Sequence, residues 1–129
     1  MRAKGNLAGV EFITPPLNLN YELQEIWKEI ITESGYFFTK TTMQFFASRV
    51  IWDTLTKFDQ DTYGFITSER DTSGNAWDGK RRYTVRYWSP VEGINDLTDF
   101  GGYDTLSGAR YYLTKGMATG RLAAIRAGL

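Results

Sequence analysis

The sequence contains no cysteine and no histidine. Without cysteine there are no disulfides, no thiol nucleophile and no thiolate metal site. Without histidine there is no Ser-His-Asp triad, no imidazole ligand for zinc and no imidazole switch near neutral pH. Proline is scarce, with 3 in 129 residues. No run reaches the roughly 20 apolar residues of a membrane-crossing helix. The start, Met1-Arg2-Ala3-Lys4-Gly5, leads into no apolar stretch of signal-peptide length. The chain therefore reads as cytoplasmic, with no membrane partner.

Aromatic residues make up 16% of the chain, above an ordinary soluble domain. Charge is balanced, with 15 Lys and Arg against 15 Asp and Glu. The balance hides an uneven distribution. Residues 1–34 and 35–104 are each net acidic, while the last segment carries Arg110, Lys115, Arg121 and Arg126 with no acid. That segment is a secondary basic face for an anionic partner, or a set of cations favoured near a helix C-terminus by the helix dipole.

The length fits one domain. Residues 1–17, ending in Pro15-Pro16, read as an N-terminal arm in which Val10, Phe12 and Ile13 form a short strand or packed segment. Residues 18–129 read as a single α+β domain. Leu23, Ile26, Trp27 and Ile30 recur at helical spacing between Asn20 and Ser34, with Asn20 as N-cap and Gly35 as stop. Tyr36-Phe37-Phe38 follows as a linker that buries its rings. A second helix is expected from Thr39, Thr41 or Thr42 to about Leu55. Its stripe is Met43, Phe46, Ala47 and Val50, and Phe45 and Trp52 lie on its other side.

The period then changes to two. Thr62–Arg70 and Arg81–Trp88 read as strands, joined through the turn formers of Asp71–Lys80, where Trp77-Asp78-Gly79-Lys80 fits a tight turn. Ile94–Phe100 makes a third strand, ended by Gly101-Gly102. Asp104 or Thr105 starts one long last helix, with Leu106, Ala109, Leu113, Met117, Gly120 and Ala124 on its stripe. The predicted architecture is two N-terminal helices, a three-stranded antiparallel meander and a C-terminal helix packed on one sheet face. The other face is open, or covered by the arm or by a second copy in a homodimer.

Asp71-Thr72-Ser73-Gly74-Asn75 begins like a calcium loop, but Ala76 and Arg82 occupy the positions that need Gly and Glu, so these are turn formers. Glu69, Asp71 and Asp78 are the carboxylates that acid–base work or magnesium would use. As turn residues they are better explained by solvation, and no nucleophile stands beside a base. The expectation is a binding protein with no catalytic residues, no metal and no cofactor.

The most informative surface is the second strand. If Tyr83, Val85 and Tyr87 face the helices, then Arg82, Thr84, Arg86 and Trp88 face outward together. Their neighbours are Thr67 and Glu69, or Ser68 and Arg70. Arginine beside aromatic and hydroxyl groups suits phosphates, bases or a protein interface. Arg70, Trp77, Lys80, Arg82, Thr84, Arg86 and Trp88 are therefore the candidate partner-binding residues. Cross-strand Arg–Glu pairing on a solvated face is the structural alternative.

The run Gly35-Tyr36-Phe37-Phe38-Thr39-Lys40-Thr41-Thr42-Met43-Gln44-Phe45-Phe46-Ala47-Ser48-Arg49-Val50 is distinctive. So is Phe65-Ile66-Thr67-Ser68-Glu69-Arg70 followed by Gly79-Lys80-Arg81-Arg82-Tyr83-Thr84-Val85-Arg86. Together they resemble small uncharacterised accessory proteins of tailed phages and prophages, over about residues 35–125. The resemblance implies phage origin, a place in the host cytoplasm and an accessory role, and it carries no catalytic residues. Such proteins often counter host defences, as anti-CRISPR proteins or as sponges for signalling nucleotides. The leading expectation is a protein that binds and inhibits a host antiviral defence protein or complex. One alternative is a nucleic-acid-binding protein with the topology of a double-stranded-RNA-binding domain, although zero net charge argues against a large phosphate footprint. Another is an oligomeric nucleotide sponge using Arg82 and Arg86, and a virion component is a fourth.

Overall fold

Helix α1 (Tyr21–Glu33) starts where the sequence places its cap. The Asn20 side-chain oxygen accepts the Glu22 N–H at 2.8 Å, and its carbonyl accepts the Gln24 N–H at 2.9 Å. Trp27 and Ile30 are fully buried, while Glu25, Lys28 and Glu29 lie on the exposed side. The computed structural model describes residues 19–33 and 46–128. The N-terminal arm, Gly35, the Tyr36-Phe37-Phe38 linker, Phe45 and the expected helix start at Thr39–Met43 lie outside the described residues.

The expected second helix is corrected: Phe46–Lys57 is a strand, β1. Val50, Ile51, Thr54 and Thr56 are β-branched, and such residues favour the pleated sheet over a helix. The helical spacing of Phe46, Ala47 and Val50 is a coincidence within a regularly paired part of the strand. Pairing with the next strand runs regularly from Phe46 to Ile51, then shifts register before Thr56. Thr54 spans the bulge. Its buried hydroxyl donates to the Ile51 carbonyl at 2.7 Å and accepts the Ile66 N–H at 2.9 Å, so a side chain supplies the ladder bond that the bulge removes.

Strands β2 (Tyr63–Asp71), β3 (Arg82–Ser89) and β4 (Gly93–Asp96) follow, and the sheet is a four-stranded antiparallel meander ordered β1-β2-β3-β4. The sheet has one strand more than expected because β1 joins it. The last strand is shorter than expected. After Asp96 the chain bows outward and rejoins β3 at the Tyr83–Tyr103 bridge. The Trp77–Lys80 turn does form, closed by the Lys80 N–H on the Trp77 carbonyl at 3.0 Å. Trp77, Asp78 and Gly79 all have positive φ there, at 59°, 55° and 73°.

The last helix is two helices, α2 (Leu106–Thr114) and α3 (Met117–Arg126). Thr105 caps α2, its hydroxyl accepting the Gly108 N–H at 3.1 Å. Gly116, at φ 90°, turns the chain between the two helices. The break moves the buried stripe by one residue. Leu106, Ala109 and Leu113 point inward as expected, but beyond the break Ala118 and Leu122 are buried, and Met117 and Gly120 are exposed.

The sheet is covered on both sides. Ile66, Val85, Tyr87 and Leu97 pack with Ala109, Leu113, Ala118 and Leu122 of α2 and α3. On the reverse face Phe65, Trp88 and Val50 pack with Trp27 and Ile30 of α1. Trp52 belongs to this second core. Trp27 meets it edge-on at 5.0 Å and donates its indole N–H to the Trp52 carbonyl at 3.1 Å. The second sheet face, expected to be open or covered by the arm or a second copy, is instead packed by α1.

Two glycines of the C-terminal region make opposite predictions. Gly120 has open space around its missing Cβ and no positive φ, so Gly120→Ala raises stability by about 0.5–1 kcal/mol. Gly116 also has open space but sits at φ 90°, so Gly116→Ala lowers stability by about 1–2 kcal/mol. Urea unfolding midpoints of the two variants distinguish these signs.

Candidate functional site

The β3 residues chosen from sequence do share one face, but that face is not open. Thr84 is 0%, Arg86 6% and Trp88 2% exposed. Trp88 is core beneath α1, beside Tyr63 at 6.5 Å. Arg82 is half-buried, donating from Nε to the Gly101 carbonyl and lying over the Trp77 ring at 5.9 Å. The expected outward exposure of Thr84, Arg86 and Trp88 is thus corrected. These three side chains are interior because α1 and the bowed segment after β4 cover them.

What they form is a buried ionic cluster. The register places Glu69 opposite Arg82, Thr67 opposite Thr84 and Phe65 opposite Arg86. Glu69 is 0% exposed and accepts from Thr84 Oγ1 at 2.7 Å and Ser48 Oγ at 2.9 Å. The Arg86 guanidinium pairs with Glu69 at 3.3 Å, donates from Nε to Thr67 Oγ1 at 2.7 Å, and also pairs with Asp96. Thr84 Oγ1 in turn accepts the Gly101 N–H at 2.9 Å, which holds the bowed segment down. Phe100 from that segment lies under the Arg86 guanidinium at 6.0 Å. Cross-strand Arg–Glu pairing is present, but buried where the sequence reading had it solvated.

The β2–β3 connection forms a second feature. Asp71 is buried, and its carboxylate accepts from the Ser73 hydroxyl at 2.7 Å, the Ser73 N–H at 2.9 Å and the Ala76 N–H at 2.6 Å. These bonds, led by the Ser73 hydroxyl, hold its carboxyl below the usual aspartate range. The five-residue run read as turn formers is thus an Asp71-centred turn. Trp77 is a bulky residue in the left-handed region, a conformation that costs about 1–3 kcal/mol and needs surrounding contacts to hold it. Those contacts are present: its ring packs on Phe100 at 5.8 Å and against the Gly101 backbone, where any Cβ would come within 2.5 Å of the ring. Lys80 and Asp78 project from this pinned turn into solvent. Glu69, Asp71 and Asp78 are thereby separated, the first two with their own inward partners.

A third feature went unseen in the sequence. Arg70 lies on the opposite sheet face from Arg82 and Arg86, the one that carries α2 and α3. The register pairs Arg49 with Ser68 and Ala47 with Arg70, so Arg49 and Arg70 are diagonal neighbours on that face. Such neighbours sit about 7–8 Å apart. Arg81 reaches over Ser68, donating from Nη1 to its carbonyl at 3.0 Å and its hydroxyl at 2.8 Å. Arg49 and Arg70 are exposed. Burial first, then the charges of Arg49 and Arg70, lower the pKa of Arg81. Arg49 was hidden from the sequence reading by its placement on a helix. Only a strand assignment brings it opposite Ser68.

The C-terminal basic residues do not form a single face. Arg110 pairs with Asp53 of β1 at 2.9 Å. Arg126 pairs with Glu92 and with Asp59 at 3.3 Å, and donates to Thr62 Oγ1 at 2.9 Å. Lys115 and Arg121 are exposed. Two of the four cations thus fasten helices to the rest of the fold, and of the expected secondary basic face Lys115 and Arg121 are the members with no ion pair among the described residues.

Among the described residues, no group of His, Cys, Asp and Glu could hold a metal ion, and no helix is long and apolar enough to cross a membrane. The family model of DUF7447, a family of unknown function, matches residues 22–114, and the chain belongs to that family. The distinctive motifs of the sequence begin at residue 35, whereas the family match begins inside α1 and so takes in the helix that closes the second sheet face. No curated protein and no solved structure matches the chain.

Arg86→Met leaves Glu69 buried without its cation and costs about 3–5 kcal/mol in urea unfolding. The double variant Arg86→Met/Glu69→Leu recovers a large part of that loss, because removing a whole buried pair is commonly close to neutral. At the Arg126 clamp the sign of pH dependence is fixed. The Arg126 hydrogen bond holds the Glu92 carboxyl below its usual value. Burial pushes Asp59 upward, but bonds from the Asp61 N–H, Thr62 and Arg126 outweigh it and leave its carboxyl lowered. Both carboxylates therefore add stability above their unfolded pKa values of about 4, and lose it as pH falls through the lower folded values. Arg126→Gln flattens this acid limb and costs about 1 kcal/mol or less at neutral pH, given the partial exposure of the clamp. Unfolding free energies measured from pH 7 downward check both effects.

Proposed function

We propose that this protein is a phage-type accessory protein that works in the host cytoplasm by stoichiometric binding to a host antiviral defence factor, without turnover. The resemblance of its motifs to phage accessory proteins supplies the class. The observation that carries the binding reading is the pinned Ala76–Lys80 turn. Two consecutive non-glycine residues are held left-handed there, with the half-buried Trp77 anchored on Phe100 and Gly101 and with Asp78 and Lys80 displayed outward. Strain of this kind persists where a rigid, pre-organised contact is useful, and pre-organisation reduces the entropy lost on docking. The charged cluster of Glu69 and Arg86 supports the same reading. Its polar atoms bond inward to strand hydroxyls, which is a structural use of charge.

The double-stranded-RNA-binding topology requires a helix where β1 lies and three strands where there are four. A nucleotide sponge built on Arg82 and Arg86 would need side chains that are committed to Gly101 and to Glu69 and Asp96.

The test is capture from a host lysate with the intact protein, followed by reconstitution with the recovered factor. The expected result is a fixed-stoichiometry complex that abolishes the factor's activity. Asp78→Ala/Lys80→Ala weakens that complex about tenfold or more, while leaving the unfolding midpoint within about 0.5 kcal/mol of wild type. A protein that recovers no specific factor, or whose turn variant binds equally well, is not the docking protein proposed.

A further inference from the structure

We infer that Arg49, Arg70 and Arg81, gathered around Ser68 on the sheet face that carries α2 and α3, bind the phosphate groups of a small oligophosphate ligand. This site uses none of the residues of the Ala76–Lys80 turn, so either reading can fail alone.

Three observations carry it. The first is convergence. β1 and β2 place Arg49 and Arg70 as diagonal neighbours, and Arg81 is drawn to the same spot by its two bonds to Ser68. The long guanidinium arms of the two exposed residues span the gap between them, so the three heads can meet one compact anion. The second is the contrast with the other arginines. Arg86, Arg110 and Arg126 each pair with a carboxylate. No carboxylate among the described residues forms an ion pair with Arg49, Arg70 or Arg81. Glu69 acts on Arg81 only from the other side of the sheet, where its oxygens are held by Ser48, Thr84 and Arg86. The third is anchoring. Ser68 is buried, and it fixes Nη1 of Arg81, while no hydrogen bond from Nη2 or Nε is formed among the described residues. Like charges gathered without a counter-ion repel, and an anion relieves that repulsion.

The chemistry of the ligand follows from the donors. Guanidinium forks match phosphate oxygens in pairs and resist deprotonation even when crowded, which lysine does not. The size follows from the extent of the cluster. Three guanidinium groups within one sheet corner fit one to three linked phosphates. Zero net charge overall does not supply the long basic track that a duplex needs.

The experiment is calorimetric titration and thermal shift of the full chain with inorganic tripolyphosphate, pyrophosphate and ADP, at constant ionic strength. Duplex RNA and poly-glutamate serve as parallel probes. The expected result is saturable binding of one oligophosphate per chain, with affinity falling as salt rises. Arg49→Gln/Arg70→Gln raises Kd about tenfold or more, as expected for losing two charge-assisted contacts. Lys115→Gln/Arg121→Gln leaves Kd unchanged. If the double variant does not fold, Arg49→Gln and Arg70→Gln are titrated singly, and each raises Kd about threefold. The inference is overturned by no saturable oligophosphate binding, by equal binding in the arginine variants, or by binding confined to duplex RNA or to poly-glutamate.

Discussion

The ion pair between Glu69 and Arg86 reaches every strand of the sheet. Glu69 takes a hydroxyl from Ser48 on β1 and another from Thr84 on β3; Arg86 holds Thr67 on β2 and Asp96 on β4. Thr84 extends the cluster to Gly101. Charges buried this deeply are stable only when each atom has a partner, so the cluster demands correct register in four strands at once. A slip by one residue would turn Glu69 and Arg86 onto the apolar face packed by α2 and α3. The hydrophobic cores on the two faces supply most of the driving force. The ionic cluster has all these partners only in the observed register.

This division explains the asymmetry of the second sheet face. Under α1 it is apolar, with Trp27, Phe65 and Trp88 in one cluster. Farther along the strands it is polar, and a loop closes it with an aromatic ring and backbone amides. The strained Trp77 turn and the Gly101 backbone lock that closure together. With both faces committed to packing, exposed chemistry is left to the sheet's ends and connections. The pinned turn and the arginine corner are both found there.

Much of this fold is legible in the sequence. Strands β2 and β3 announce themselves by alternation of Tyr83, Val85 and Tyr87 with Arg82, Thr84 and Arg86, and α1 by its stripe and its Asn20 cap. β1 is not legible in the same way, because its bulge breaks the alternation at the point where Thr54 must supply a side-chain bond. With the alternation broken after Ile51, the run that pairs regularly is short, and the helical spacing of Phe46, Ala47 and Val50 within it looks stronger than it is. Gly116 is visible as a glycine, and its left-handed φ ends α2 as a helix-stopping glycine does, but the apolar stripe that runs on past it hides the break. For the candidate residues, the sequence orders Arg82, Thr84, Arg86 and Trp88 onto one face correctly. It cannot show that α1 and the segment around Phe100 return to cover them. Arg49 and Arg81 become neighbours only through the register of β1 on β2 and the reach of Arg81 over Ser68.

Strand order in the sheet is the same as order along the chain. Each strand therefore finds its partner by closing a short loop, and the entropy lost at each closure is small. Topologies dominated by such local pairings fold quickly. The bond from Arg126 to Asp59, between residues 67 apart in sequence, is of another kind. Together with the bonds from Arg126 to Glu92, it requires the β1–β2 turn, the β3–β4 turn and the end of α3 to be in place at once. The meander is thus held by pairings local in sequence, whereas the seat of the final helix depends on contacts between distant parts of the chain.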